Sequence, residues 1–533
     1  MISTIARTAK GRANLLRQAP VILRAARAYM STIQVAPSLK EHATPGFEPY
    51  DTATYINGKA LKSDSTEWFD VFDPATDIVV SKVPQSTPEE LDGAIAAAEE
   101  AFKTFSQFSP IKRMELTFKY VELLKANKER LASVIVLEQG KSWSAAIADV
   151  YRGIQCAEHA CTVLKETESV GFEVSNDMET KTVREPIGVV GSICPFNFPV
   201  MIPLWTIPYI IATGNTTVLK PSEACPGTGA ILAEIAKEAG VPDGVVNIVH
   251  GKAPTVTKLS TDPRIAAVTF VGGNNAGKYV YNEATKLGKR VQCNLGAKNH
   301  VVVMPDADKD SLLKGIVTGA FSSTGQVCLS TDILFLVGEA KNFLPEIVEQ
   351  VKTLKVKPGF QDGDFGPVVS KESLARIEAV IEDAVSKGAK VLVDGRLNKP
   401  TEEQYKNGYF IGATLLADVK PGMRCVDEEL FGPIFTVVEA DSLDYTIDYI
   451  NKNAFGNSVA IYTQSGPAAN AFSKKINVNQ VGVNVAIPIP HAAFGFTSNK
   501  ASFLGDLHFY GPSAFKFLTQ PKTITTSWKG MKY

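Results

Sequence analysis

Ile187-Gly188-Val189-Val190-Gly191-Ser192-Ile193-Cys194-Pro195-Phe196-Asn197-Phe198-Pro199 decides the fold. Ile187–Ile193 is short, apolar and rich in β-branched residues, and two prolines close the segment after it. That predicts a buried strand running into a turn. The same texture repeats downstream. Thr216–Leu219, Val245–Val249 and Ala266–Val271 read as strands, with a helix over Pro226–Ala239. Buried apolar strands alternating with helices imply a parallel sheet covered on both faces. A second series follows: strand Asn299–Met304, helix Lys309–Phe321, strand Ile333–Val337, helix Ala340–Leu354 and strand Lys390–Val393. The expected class is therefore α/β, with two doubly wound domains. Upstream, Thr87-Pro88-Glu89-Glu90 is a capping box with proline at the first helical position. Leu91, Ile95, Ala98, Phe102 and Phe105 then form one apolar stripe. Arg113–Val136 reads as a second long helix.

Composition narrows the function classes. The chain has 533 residues, 45% hydrophobic and 21% charged, and a formal net charge of −1. A disordered or collagen-like chain is excluded, and the basic excess usual in a nucleic-acid binder is missing. Seven cysteines, with no C-x-x-C pair, argue for a reducing compartment and against structural zinc. The longest charge-free stretch, Pro186 to Leu219, has the length of a membrane span. Its five prolines would break a spanning helix repeatedly, so a strand, a turn and a short helix are expected instead.

The neutral total hides an asymmetric start. No acid precedes Glu41, whereas Arg7, Lys10, Arg12, Arg17, Arg24 and Arg27 all do. An arginine-rich, acid-free, amphipathic leader reads as a mitochondrial transit peptide over residues 1–30, directing the chain to the matrix. A disordered basic tail is the alternative.

Sheets of this kind bind ligands at the carboxyl ends of their strands. No G-x-G-x-x-G is present. Gly227-Thr228-Gly229 reads as a capping turn. Phe270-Val271-Gly272-Gly273-Asn274 turns a strand into a helix, a place where a phosphate can approach a helix N-terminus. Five separated segments together are more specific. They are Pro195–Pro199, Val218-Leu219-Lys220-Pro221-Ser222-Glu223, Phe270-Val271-Gly272-Gly273, Gly325-Gln326-Val327-Cys328 and Glu428-Glu429-Leu430-Phe431-Gly432-Pro433. In this order they resemble the aldehyde dehydrogenase superfamily over about residues 50–525. Asn294-Leu295-Gly296-Ala297-Lys298-Asn299-His300 and the tail from Gly482 through Gly511 are similar to its CoA-acylating methylmalonate-semialdehyde dehydrogenase branch.

The resemblance implies an architecture and a set of roles. An NAD-binding domain would take residues 50–171 and 187–295, and a catalytic domain 296–490. A small β oligomerisation element would combine 172–186 with 512–526, giving a homodimer or homotetramer. The nucleophile would be Cys328: its thiolate adds to an aldehyde, and hydride loss leaves a thioester. Asn197 and the Cys328 N–H would stabilise the adduct's oxyanion. Lys220 and Glu223 would bind the adenosine ribose, a carboxylate there favouring NAD over NADP. Cys194, Phe196, Gly273 and Leu295 would line the cofactor cleft, with Gly273 in place of a serine common in the family. Glu429 and Phe431 would hold the nicotinamide ribose. No metal is implied.

Two departures bear on mechanism. Hydrolytic members carry a glutamate base where this chain has Asn294, which cannot accept a proton at neutral pH. Coenzyme A, a better nucleophile than water, would then take the acyl group. The CoA-acylating branch commonly has arginine before the nucleophile; here it is Val327. The second carboxylate-binding arginine is retained as Arg152, although a helix-surface ion pair is the plainer reading of that residue. The implied activity is NAD-dependent, CoA-acylating oxidation of a malonate- or methylmalonate-type semialdehyde, a reaction of valine catabolism. A hydrolytic enzyme using another base, a cysteine hydrolase and a non-enzymatic descendant are the competing readings.

Overall fold

The computed structural model describes residues 40–528. The basic leader expected over residues 1–30 lies outside the described residues. No described helix is long and apolar enough to cross a membrane.

Two large sheets organise the chain. The first has eight strands. In spatial order they are Phe503–Leu504, Arg290–Asn294, Ile265–Val271, Val189–Ile193, Thr216–Lys220, Val246–Ile248, Thr54–Ile56 and Lys59–Leu61. The middle five are mutually parallel, with antiparallel strands at both edges. Val189–Ile193 is the first of the five along the chain, and later strands add on both its sides. The strand order therefore reverses between Val189–Ile193 and Ile265–Val271. The crevice beyond their carboxyl ends is where a doubly wound sheet binds its ligand.

The second sheet has seven strands, in the order Lys390–Val393, Thr414–Ala417, Ile434–Ala440, Thr331–Val337, Asn299–Val303, Ser458–Tyr462 and Gln480–Val483. Only Lys390–Val393 runs antiparallel. All seven residues of Thr331–Val337 and all five of Asn299–Val303 are buried, as two-sided helix cover requires. A separate antiparallel sheet joins Val170–Ser175, Met178–Pro186 and Thr519–Ser527.

The capping box forms as read: Thr87 Oγ1 accepts from Glu90 N, and the Glu90 carboxylate accepts from Thr87 N. Three expectations are corrected. The helix expected over Arg113–Val136 is two, Pro110–Ala126 and Lys128–Gln139. Asn127 turns its side-chain amide back onto the Leu123 carbonyl and leaves helical geometry, an asparagine competing with the helix backbone. The helix expected over Ala340–Leu354 is a 3-10 turn, Gly338–Phe343, followed by Leu344–Lys352. Pro345 sits in the first turn of the latter and disfavours helical geometry before itself. Residues 512–518, expected within the C-terminal strand, belong to helix Gly511–Leu518 with Phe515, Phe517 and Leu518 buried; the strand begins at Thr519. Arg290 fixes that helix end by donating to the carbonyls of Phe517 and Thr519.

Candidate active site

The two sheets meet at a cleft formed by two kinds of loop: those after Ile193 and Val271 on one side, and the segment ending at Cys328 on the other. Cys328 follows helix Lys309–Phe321 through a tight turn. Ser323, Thr324 and Gly325 all have positive φ, at 50°, 60° and 68°. Such geometry is costly for Ser and Thr and persists only when neighbours enforce it. Thr324 Oγ1 donates to Gly366 O at 3.0 Å. Gln326 Oε1 accepts from Val369 N at 3.1 Å. A Cβ at Gly325 would lie 2.1 Å from Gly432 O, so this position excludes side chains.

The Cys328 thiol is buried. Burial first, then the nearby Glu429 carboxylate, push it up to about 12; the N–H groups of Cys328 and Leu329 and the Asn457 amide act the other way. Asn299, the first residue of its strand, donates to the carbonyls of both Cys328 and Ser330 at 2.9 Å.

Asn197 reaches the same segment from the first sheet. Its Nδ2 donates to Gln326 O at 3.0 Å, two residues before Cys328. Behind it lies a buried ion pair. Lys141 and Asp149 are 2.8 Å apart with both side chains fully enclosed. Lys141 Nζ also donates to the Asn197 carbonyl at 2.6 Å and sits 3.8 Å over the Phe198 ring. Asp149 accepts from Met201 N at 2.8 Å. Burial lowers the Lys141 pKa and raises that of Asp149, and their attraction opposes both shifts. The sequence did not reveal this pair, because nothing local links helix Trp143–Ala160 to the Asn197 turn.

The expected cofactor residues gather at the carboxyl ends of the first sheet. Lys220 Nζ donates to Pro221 O at 2.8 Å and lies 3.3 Å from the Glu223 carboxylate. Cys194 is buried, its N–H bonded to Lys220 O. Leu295 is buried just past strand Arg290–Asn294. Gly273 is the N-cap of helix Asn274–Thr285, with no side-chain cap, and a Cβ there would meet nothing within 4 Å. An uncapped helix start with open space before it suits an anionic group. Phe196 and Phe431 meet edge to face across the cleft, 5.8 Å apart at 84°, with Phe431 at a positive φ of 46°. The Glu429 carboxylate accepts from Ala297 N at 2.9 Å, and burial raises its pKa to about 7. These groups fit a dinucleotide: a lysine–carboxylate pair, an uncapped helix start with open space before it, and two facing rings.

Asn294 ends its strand buried, its Oδ1 2.8 Å from Ser498 Oγ and its Nδ2 without a partner among the described residues. Arg152 bonds Gln155 at 3.3 Å and has no carboxylate partner among the described residues, contrary to the ion-pair reading. It lines a narrow cavity with Cys156, Met201, Trp205 and Tyr510. Val327 is buried in the apolar cluster that includes Met201, Trp205 and Tyr510.

The description "Aldehyde dehydrogenase family" matches residues 61–524. The human mitochondrial methylmalonate-semialdehyde/malonate-semialdehyde dehydrogenase [acylating] is 44% identical over 478 residues, 89% of each chain. The crystal structure of methylmalonate-semialdehyde dehydrogenase from Oceanimonas doudoroffii superposes with TM-score 0.88 at 37% identity, covering 90% of this chain and 99% of that one. An NAD+ complex of a Bacillus cereus aldehyde dehydrogenase gives TM-score 0.85 at 28% identity, covering 90% and 97%. The cleft, the loop that carries Cys328 and these likenesses agree: the chain belongs to the aldehyde dehydrogenase family.

Proposed function

We propose that this chain oxidises a carboxylated semialdehyde of the malonate or methylmalonate type with NAD and passes the acyl group to coenzyme A. The Cys328 thiolate adds to the aldehyde carbon. Asn197 Nδ2 and the Cys328 N–H take the oxygen as it becomes an anion. Bound NAD supplies the hydride acceptor. Lys220 and Glu223 bind its adenosine ribose, and a carboxylate there disfavours a 2′-phosphate. Cys194, Phe196, Gly273, Leu295, Glu429 and Phe431 shape the rest of its cleft. Loss of hydride leaves a thioester on Cys328, and a CoA thiolate attacks its carbonyl and expels the cysteine thiolate. Arg152, without a carboxylate partner and lining the cavity, binds the substrate carboxylate.

The single observation that carries the acylating route is Asn294: a buried amide where a hydrolytic enzyme needs a base. The names of the relatives agree with it. One observation favours hydrolysis instead. Glu429 is half-buried near Cys328, and desolvation raises its pKa to about 7, so it could serve as the alternative base. A substrate panel of malonate semialdehyde, methylmalonate semialdehyde and propanal with NAD, with and without CoA, separates the two routes. Mass spectrometry should find acyl-CoA from the semialdehydes; free acid at the same rate in both arms rejects the acylating route.

The first sheet would carry NAD, in a domain of residues 50–171 and 187–295, and the second the nucleophile, in a domain of residues 296–490. The three-stranded sheet would form a homo-oligomer contact. Val170 and Phe172 lie on one face of the exposed strand, and Val174 is exposed at the bulge that follows. A matrix location follows from the acid-free leader and from relatives named as mitochondrial.

A further inference from the structure

Strands Phe455–Gly456 and Asn499–Lys500 pair antiparallel, with Gly456 opposite Asn499. The Asn499 side chain packs over Gly456, where a Cβ would lie 1.8 Å from Asn499 Oδ1. The pairing also sets the flanking residues, Asn457 and Ser498, side by side. Ser498 Oγ lies 2.7 Å from Asn457 Oδ1 and 2.8 Å from Asn294 Oδ1. The Asn457 Nδ2 donates to the Cys328 carbonyl at 2.7 Å. Asn294, Asn457 and Ser498 are each at most 2% exposed, so water does not compete.

The consequences follow from counting donors. A hydroxyl has one proton, and an amide presents oxygen on one side and NH2 on the other. With Ser498 donating to its oxygen, Asn457 must keep its NH2 toward Cys328. The Cys328 carbonyl then receives two amides, from Asn457 and Asn299, which occupy both its lone pairs. That fixes the plane of the Cys328–Leu329 peptide, and with it the Leu329 N–H. We propose that Ser498 and Asn457 are positioning residues for the Cys328 thiol: the Ser498 hydroxyl gives its one proton to the Asn457 oxygen, which also lies 3.4 Å from Gln480 Nε2, and so locks the Asn457 amide onto the cysteine.

The electrostatics agree. The Leu329 N–H and the Asn457 amide favour the thiolate, while burial and Glu429 oppose it. Tyr510 also couples to this thiol. The proposal rests on Cys328 being the reacting thiol.

The test is the rate at which iodoacetamide alkylates Cys328 in the NAD-free enzyme, followed across pH by peptide mass spectrometry. Ser498→Ala and Asn457→Ala should slow alkylation roughly three- to tenfold at pH 8, as a pKa rise of half a unit to one unit requires. Ser498→Thr, which keeps the hydroxyl, should restore it. Asn457→Asp keeps the shape but replaces the donor with a negative charge, and should slow alkylation by about tenfold or more. Wild-type rates in Ser498→Ala and Asn457→Asp, or Ser498→Thr as slow as Ser498→Ala, would overturn the proposal. Alkylation needs neither aldehyde nor NAD. Failure of the dehydrogenase reading would show separately, as an absence of aldehyde-dependent NADH.

Discussion

Asn197 and Cys328 lie 131 positions apart in the sequence, yet one hydrogen bond from Asn197 ends two residues before the thiol. Asn197→Ala should lower kcat by roughly 10²–10³, the usual loss for one oxyanion donor, in steady-state NADH assays. A change confined to KM would leave Asn197 as packing only. Val327 stands where the CoA-acylating branch commonly has arginine, buried in the apolar cluster that holds Met201, Trp205 and Tyr510. Val327→Arg should raise kcat/KM for methylmalonate semialdehyde relative to propanal by about tenfold or more, since one Arg–carboxylate contact contributes about 1.5–3 kcal/mol. An unchanged ratio would mean that position 327 does not face the substrate carboxylate. At this scale motifs singled out Cys328, Asn197 and Glu429, and the fold brings Asn197 to the segment just before Cys328. Lys141, Asp149 and Asn457 were not legible in the sequence, because each acts on a residue far from it in sequence and nothing in its own neighbourhood marks the contact.

Helix Trp143–Ala160 carries Asp149 on its buried side and Arg152 one turn further on, at the cavity. The helix thus braces the Asn197 turn through Lys141 while presenting Arg152. Asp149→Asn leaves a buried ammonium without its counter-charge and should cost about 3–5 kcal/mol. The double variant Lys141→Met/Asp149→Leu should recover much of that stability yet remain catalytically impaired, because the Asn197 carbonyl has lost its donor. Chemical denaturation of the single and double variants measures the coupling. Additive losses would remove Lys141 and Asp149 as a unit. Element boundaries were read well where periodicity was strong, as in Lys309–Phe321, which matches residue for residue. They were misread where one side chain broke a helix, at Asn127, or where proline began one, at Pro345. Strand Arg290–Asn294 escaped notice because Arg290, Gln292 and Asn294 make it look polar. Inside the fold Arg290 donates to the end of the last helix and Asn294 Oδ1 meets the Ser498 hydroxyl.

The whole molecule holds a half-buried carboxylate, Glu429, which accepts from Ala297 N on the link between its two sheets. Its pKa is raised to about 7 from the ordinary 4.5. A raised carboxylate favours the folded state fully below its unfolded pKa, and this contribution fades as pH climbs toward the folded value. In NAD-free enzyme, Glu429→Gln should therefore change stability little near pH 5 and raise it by on the order of 2–3 kcal/mol by pH 8, measured by denaturant titration. An equal effect at both pH values would mean that Glu429 does not titrate in this window. The two-sheet α/β plan was legible because buried strands and helices alternate twice. The reversal of strand order at Val189–Ile193 was not, since no local pattern says on which side the next strand will add. A thioester on Cys328 should wait for a thiol, because Asn294 cannot activate water. Rapid mixing of enzyme, NAD and semialdehyde without CoA tests it directly. The expected result is a burst of about one NADH per active site, absent in Cys328→Ala, then a slow phase that CoA accelerates with stoichiometric acyl-CoA formation. Fast, CoA-independent turnover to the free acid by the unmutated enzyme would contradict it.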